Sequence, residues 1–157
     1  MEKAAVNQEI MFPVPKGFHV MDEEELHQAF PGSEGSCWGI WDKEQHIILR
    51  VLWQNLNGLT AWLADMEKVA VNNEKLTAKV HEGFDYQPEG FFKTSVSSYE
   101  AHGYSFSYRR FDVTQHVETA LFKKGKVIYS ISCIGRSENN DRNHDLFSWI
   151  LENIAAE

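Results

Sequence analysis

The chain has 157 residues, the length of one domain with room for a substantial core and too little for two. Hydrophobic residues are 43% and charged residues 24%, ordinary globular usage that excludes disordered, collagenous and membrane classes. The formal net charge of -8 argues against electrostatic capture of nucleic acid or anionic lipid, and two cysteines cannot build a disulfide framework.

The first nine residues carry no apolar segment of the signal-peptide kind. No window approaches the ~18 apolar residues of a membrane span. The expectation is a soluble cytoplasmic protein with reduced thiols. There is no internal repeat and no Pro/Ser-rich linker, so the chain reads as one unit over residues 1–157.

Phe18 to Met21 is a weak first strand. Asp22 can cap a short helix, with Glu23, Glu24 and Glu25 in its first turn where the helix dipole favours negative charge. That helix should stop at Pro31-Gly32. Cys37 to Trp41 and His46 to Trp53 read as a hairpin of strands about the turn Asp42–Gln45. After Asn57-Gly58, the residues Leu59, Trp62, Leu63, Met66, Val69, Ala70, Leu76 and Val80 keep the helical period. They predict one long helix with a buried stripe, ended by Gly83.

Phe91 to Ser98 is the next strand, with a turn expected at Glu100–Gly103. Tyr104, Phe106 and Tyr108 then alternate with Ser105, Ser107 and Arg109, a period of two. His116 to Phe122 and Val127 to Cys133 flank Lys124-Gly125, a hairpin signal. A final helix, capped by Ser137 or Asn140, would bury Leu146, Phe147, Ile150, Leu151 and Ile154. Consecutive hairpins demand an antiparallel sheet of about six to seven strands. Covered by the long helix and the C-terminal helix, it makes an α+β sandwich.

That order resembles the PsbP-like fold, shared by the photosystem extrinsic protein PsbP, a Ran-binding nuclear import protein and many small bacterial proteins of unknown function. The run Gly17-Phe18-His19-Val20-Met21-Asp22-Glu23-Glu24-Glu25-Leu26, followed by Trp38-Gly39-Ile40-Trp41-Asp42, resembles an uncharacterised bacterial family within it. The resemblance implies a fold and supplies no catalytic signature. PsbP relatives are often exported or lipid-anchored.

Nucleophile elbows, P-loops, dinucleotide fingerprints and paired-Cys or paired-His metal motifs are absent. With Lys124-Gly125 as the loop, Lys123 pairs with Lys126, His116 faces Cys133, and Glu118 lies beside them. A thiol, an imidazole and a carboxylate are the parts of a cysteine nucleophile and its base, or of a metal site. A core cysteine under the last helix is the simpler account. The seven histidines show no i, i+4 or H-x-H spacing, so no metal is assigned and no cofactor is expected. The glycine-rich loop Pro31–Cys37 lacks basic help for a phosphate, and Glu34 would repel one, so it reads as a connection. Lys123, Lys124 and Lys126 read as a solvated hairpin tip.

Trp38 and Trp41, three apart on a strand, must point to opposite faces. Tyr104 and Tyr108 share one face, with Arg109 and Arg110 nearby. These four aromatics are the candidate binding residues. The reading is a non-catalytic accessory or binding module for a protein or small-molecule partner, not nucleic acid or membrane. Self-association through a strand edge or aromatic patch is a further expectation. The alternative is a thiol-dependent or hydrolytic enzyme using Cys133 and His116.

Overall fold

The computed structural model describes residues 2–33 and 35–156; Glu34, set against anion binding above, lies outside them. Seven strands form one antiparallel sheet in the order β3-β4-β5-β9-β8-β7-β6. They are β3 (His19–Val20), β4 (Cys37–Asp42), β5 (Ile47–Asn55), β6 (Gln87–Val96), β7 (Tyr99–Arg110), β8 (Val113–Lys124) and β9 (Val127–Arg136). A separate hairpin, β1 (Glu2–Val6) with β2 (Ile10–Val14), precedes them. Its turn places Asn7 and Gln8 at positive φ without a glycine to signal it.

The hairpin and the C-terminal helix α4 (Asn140–Asn153) cover one face. Met11 and Ala155 exchange two backbone hydrogen bonds of 2.8 and 3.0 Å, which tie the two together. Phe12, Phe147, Ile150 and Leu151 meet Leu49, Val51, Phe122, Tyr129 and Ile131 there in the main core. The buried stripe of α4 is where its spacing put it, although Leu146 is only partly buried. Helices α1 (Glu23–Ala29) and α3 (Met66–Val80) lie over the other face, above a smaller core of Ala70, Tyr104, Phe106, Val117 and Leu121. Asp22 caps α1 as expected, its carboxylate accepting from the Glu25 amide at 2.8 Å while Glu25 accepts from the Asp22 amide at 3.1 Å.

The long helix is two. α2 (Gly58–Leu63) ends at Ala64, and Asp65 starts α3 by accepting from the Glu67 amide at 3.0 Å. Asp65 is a better cap than helix interior, and the periodicity runs straight through it. The stripe is also largely unburied: Leu59, Trp62, Leu63, Leu76 and Val80 are exposed, and only Ala61 and Ala70 are buried in the two helices.

Nor is Glu100–Gly103 a turn. The chain reverses at Ser97-Ser98, and β7 runs through Gly103. A Cβ at Gly103 would overlap the Phe92 ring and the Thr119 carbonyl oxygen. The glycine makes room across strands rather than bending the chain.

The sheet's edges are blunted. β3 is two residues long, and β6 carries Pro88, a register shift between Pro88 and Gly90, and Lys93. Such features oppose strand-edge association.

Candidate functional site: a cavity between α3 and the sheet

β7 alternates as its sequence implies, directing Tyr104, Phe106 and Tyr108 toward α3. Pairing extends this face across the sheet in one row, Tyr104 beside Thr119, Thr119 beside Ser132, and Ser132 beside Arg50. The Ser132 and Thr119 hydroxyls lie 2.8 Å apart, and Arg50 Nη2 donates to Ser132 Oγ at 3.2 Å. The Tyr104 hydroxyl donates to Asn73 Oδ1 at 2.5 Å and lies 2.8 Å from Thr77 Oγ1, which pins the ring under α3. Burial raises the pKa of both Tyr104 and Tyr108, so both remain phenols at neutral pH.

His81 closes the end of α3. Its Nδ1 is 2.8 Å from the Thr77 carbonyl, which can only accept, so Nδ1 carries a proton. Its ring lies 4.4 Å from that of Tyr108 and 5.3 Å from that of Phe106. These side chains bound a cavity of ≈ 370 Å³, with Phe30 and Arg50 at one side and the exposed Leu76, Val80 and Phe84 at its rim. A second cavity, of ≈ 400 Å³, shares Arg50, Asn73, Thr77 and Tyr104 with it.

The thiol site does not assemble. The hairpin pairs Lys124 with Val127, two residues out of the expected register. Gly125, at φ +59, is the first central residue of the turn and not the second. His116 therefore faces Gly135, and Cys133 faces Glu118. Cys133 is buried, and its thiol donates only to the Asn143 carbonyl at 3.8 Å. Burial, with the charge of Glu118 second, pushes that thiol up to about 12. The thiolate that nucleophilic attack requires does not form near neutral pH.

His116 and Glu118 instead enter separate pairs in a groove of ≈ 660 Å³ beside α4. His116 meets Glu89 at 3.0 Å, and Glu118 accepts from His144 at 2.8 and 3.0 Å. Among the described residues, no group of three or more His, Cys, Asp or Glu side chains is placed to hold a metal ion.

Trp38 and Trp41 do point apart. Trp38 packs on Phe12 at 5.0 Å beside the main core. Trp41 lies 6.1 Å from His19 with Lys43 Nζ over its ring at 4.9 Å. Both are half-buried, and neither lines the cavity. Of the four expected aromatics, Tyr104 and Tyr108 are therefore the pair brought together, and Arg110 rather than Arg109 joins them. The residue the sequence reading passed over is Arg50. Its signal was a lone charge inside the apolar run Ile47-Ile48-Leu49-Arg50-Val51-Leu52-Trp53.

No helix among the described residues is long and apolar enough to cross a membrane. No family model matches the chain, and no curated protein matches it. Solved structures do. The cyanobacterial PsbP of Synechocystis sp. PCC 6803 aligns with 99% of this chain and 92% of its own, at TM-score 0.75 and 11% identity. LpqN, involved in cell envelope biogenesis of Mycobacterium tuberculosis, aligns over 93% and 82% at TM-score 0.63 and 14% identity. A Pseudomonas aeruginosa protein of unknown function aligns over 100% and 97% at TM-score 0.57 and 6% identity. At such identities the likeness is one of backbone architecture, and the chain has the PsbP-like fold.

Proposed function

We propose that this protein is a non-catalytic binding module that takes a small molecule into the cavity between α3 and the sheet. The observation that carries this reading is the cavity itself, ≈ 370 Å³ walled by Tyr104, Phe106, Tyr108 and His81 and open at an apolar rim. Concave, largely apolar sites with a few fixed polar groups are the usual form of small-molecule sites. The buried thiol of Cys133 removes the support for the enzyme alternative. Both cysteines are free, which suits a reducing, cytoplasmic setting.

The test is a fluorescence titration with the neutral apolar probe N-phenylnaphthylamine. Val80→Glu puts a carboxylate at the exposed rim and is expected to weaken binding about tenfold or more, the scale of a charge brought against an apolar ligand. Trp62→Glu, on α2 away from the cavity, should not weaken it. Absence of binding, or loss with Trp62→Glu alone, would sink the reading.

A second reading rests on α2. Leu59, Trp62 and Leu63 share one helix face and are 67%, 78% and 63% exposed. A cluster of that kind marks a surface covered by a protein partner, a second copy included. Sedimentation velocity of wild type against Trp62→Glu tests the second copy: a dimer that dissociates in the variant supports it, and monomers in both exclude it.

A further inference from the structure

We infer that the ligand of the α3 cavity is a small organic anion, whose carboxylate, sulfonate or phosphate group is held by Arg50 and whose apolar body lies on the aromatic wall. This inference rests on the cavity being a binding site. Three features of Arg50 carry it. First, the side chain is far from satisfied. A guanidinium has five N–H donors, yet its one side-chain hydrogen bond goes to Ser132 Oγ, and Nε is sealed from solvent with no partner. Arg50 is half-buried, and withdrawing even part of a charge from water in that state is costly unless something pairs with it.

Second, no carboxylate among the described residues pairs with Arg50, whose guanidinium carbon lies over the Phe30 ring at 4.8 Å. Arg136 makes the contrast. Its Nε is also buried and unpartnered, but its Nη1 has Glu138 at 3.9 Å. Of the two arginines, Arg50 is the one left without a counter-ion among the described residues.

Third, the surroundings are positive where the rest of the chain is negative. The chain carries 23 acidic against 15 basic residues, yet among the described residues no Asp or Glu lines either cavity that Arg50 lines. Arg110 lines the first cavity as well. Glu74, the acid close by, has its carboxylate engaged by the Tyr86 hydroxyl at 2.5 Å.

The planar fork of arginine suits bidentate contact with a carboxylate, sulfonate or phosphate. The Thr119 hydroxyl stands in the same row and lines the cavity, so it can turn its proton toward the anion while accepting from Ser132. The aromatic wall takes the apolar part, since Tyr104 and Phe106 stack at 6.0 Å and Phe106 and Tyr108 at 6.2 Å in one continuous surface.

The experiment compares two probes that differ by one charged group, anilinonaphthalene sulfonate and N-phenylnaphthylamine, on wild type and Arg50→Met. Sulfonate binding should weaken about 10- to 100-fold in Arg50→Met, the range of one charge-assisted hydrogen bond, and neutral binding by much less. If Arg50→Met weakens neither probe, or both equally, the anion proposal is overturned while the cavity reading stands on the neutral probe. If neither probe binds wild type, both fail together. Should Arg50→Met not fold, wild type decides: benzoate should displace the sulfonate probe and benzamide should not. Equal displacement by the two would overturn the proposal.

Discussion

Cys133 shows how burial decides chemistry at a single atom. Its thiol is pushed up to about 12, against about 8.5 for a free thiol in an unfolded chain. Alkylation monitored by mass spectrometry should leave Cys133 untouched in the native state near neutral pH, and His116→Ala should not change that. Fast reaction of Cys133 below pH ~8 would revive the enzyme alternative. The same group ties stability to pH. The folded chain keeps a proton that the unfolded chain releases, so its contribution is complete below about pH 8.5 and is lost as pH rises toward about 12. Gly103 is the other residue with a sharp consequence. Since a Cβ there collides with Phe92 and Thr119, Gly103→Ala should cost about 1–3 kcal/mol in urea denaturation, the scale of an overpacked core. A neutral result would mean that the Phe92 ring moves aside freely.

Helix α2 depends on a lysine that the sequence presents as a solvated hairpin tip. Lys123 Nζ donates to the Ala61 carbonyl at 2.6 Å and to that of Ala64 at 3.3 Å, so it serves the last carbonyls at the helix C-terminus. Lys123→Met should lower hydrogen-exchange protection over residues 58–64 by about 1 kcal/mol, the usual worth of such a cap. Unchanged protection would show that α2 holds by other means. The large apolar residues Leu59, Trp62 and Leu63 cannot be holding it, because they face outward. Trp62→Ala should therefore change global stability by less than about 0.5 kcal/mol, as at an ordinary surface position. A cost above 2 kcal/mol would mean that the ring is buried in solution, by a second copy or by a different packing.

At the scale of the molecule, the two faces of the sheet are unequal. The α4 face holds the main core and the α3 face the smaller one, opened by the cavity. Ile150→Ala, at a fully buried position on the inner face of α4, should cost about 2–5 kcal/mol, whereas Leu76→Ala on α3 should stay within about 0.5 kcal/mol. Native-state hydrogen exchange should accordingly find α2 and α3 opening well before β8, β9 and α4. Uniform protection across the two faces would contradict that order. The asymmetry also suits the proposed binding role, since a layer with little packing to lose can admit a ligand at low cost.

Much of this architecture was legible in local signals. Alternation along β7, the capping residue and acidic first turn of α1, and the stripe of α4 each depend on a few neighbouring residues, and each stands as the periodicity implied. The order of hairpins then left little freedom in how the sheet could pair. What remained hidden was decided at a distance. Whether the Leu59-to-Val80 stripe meets a core depends on where the sheet ends, and helical spacing carries no information about that. The hairpin register turned on which turn position Gly125 takes, and a shift of two residues moved Cys133 from His116 to Glu118. Arg50 was visible as a charge in an apolar strand. That it has no counter-ion among the described residues emerges only when β5, β9 and α3 close around it, because pairing is a property of neighbours in space and not of neighbours along the chain.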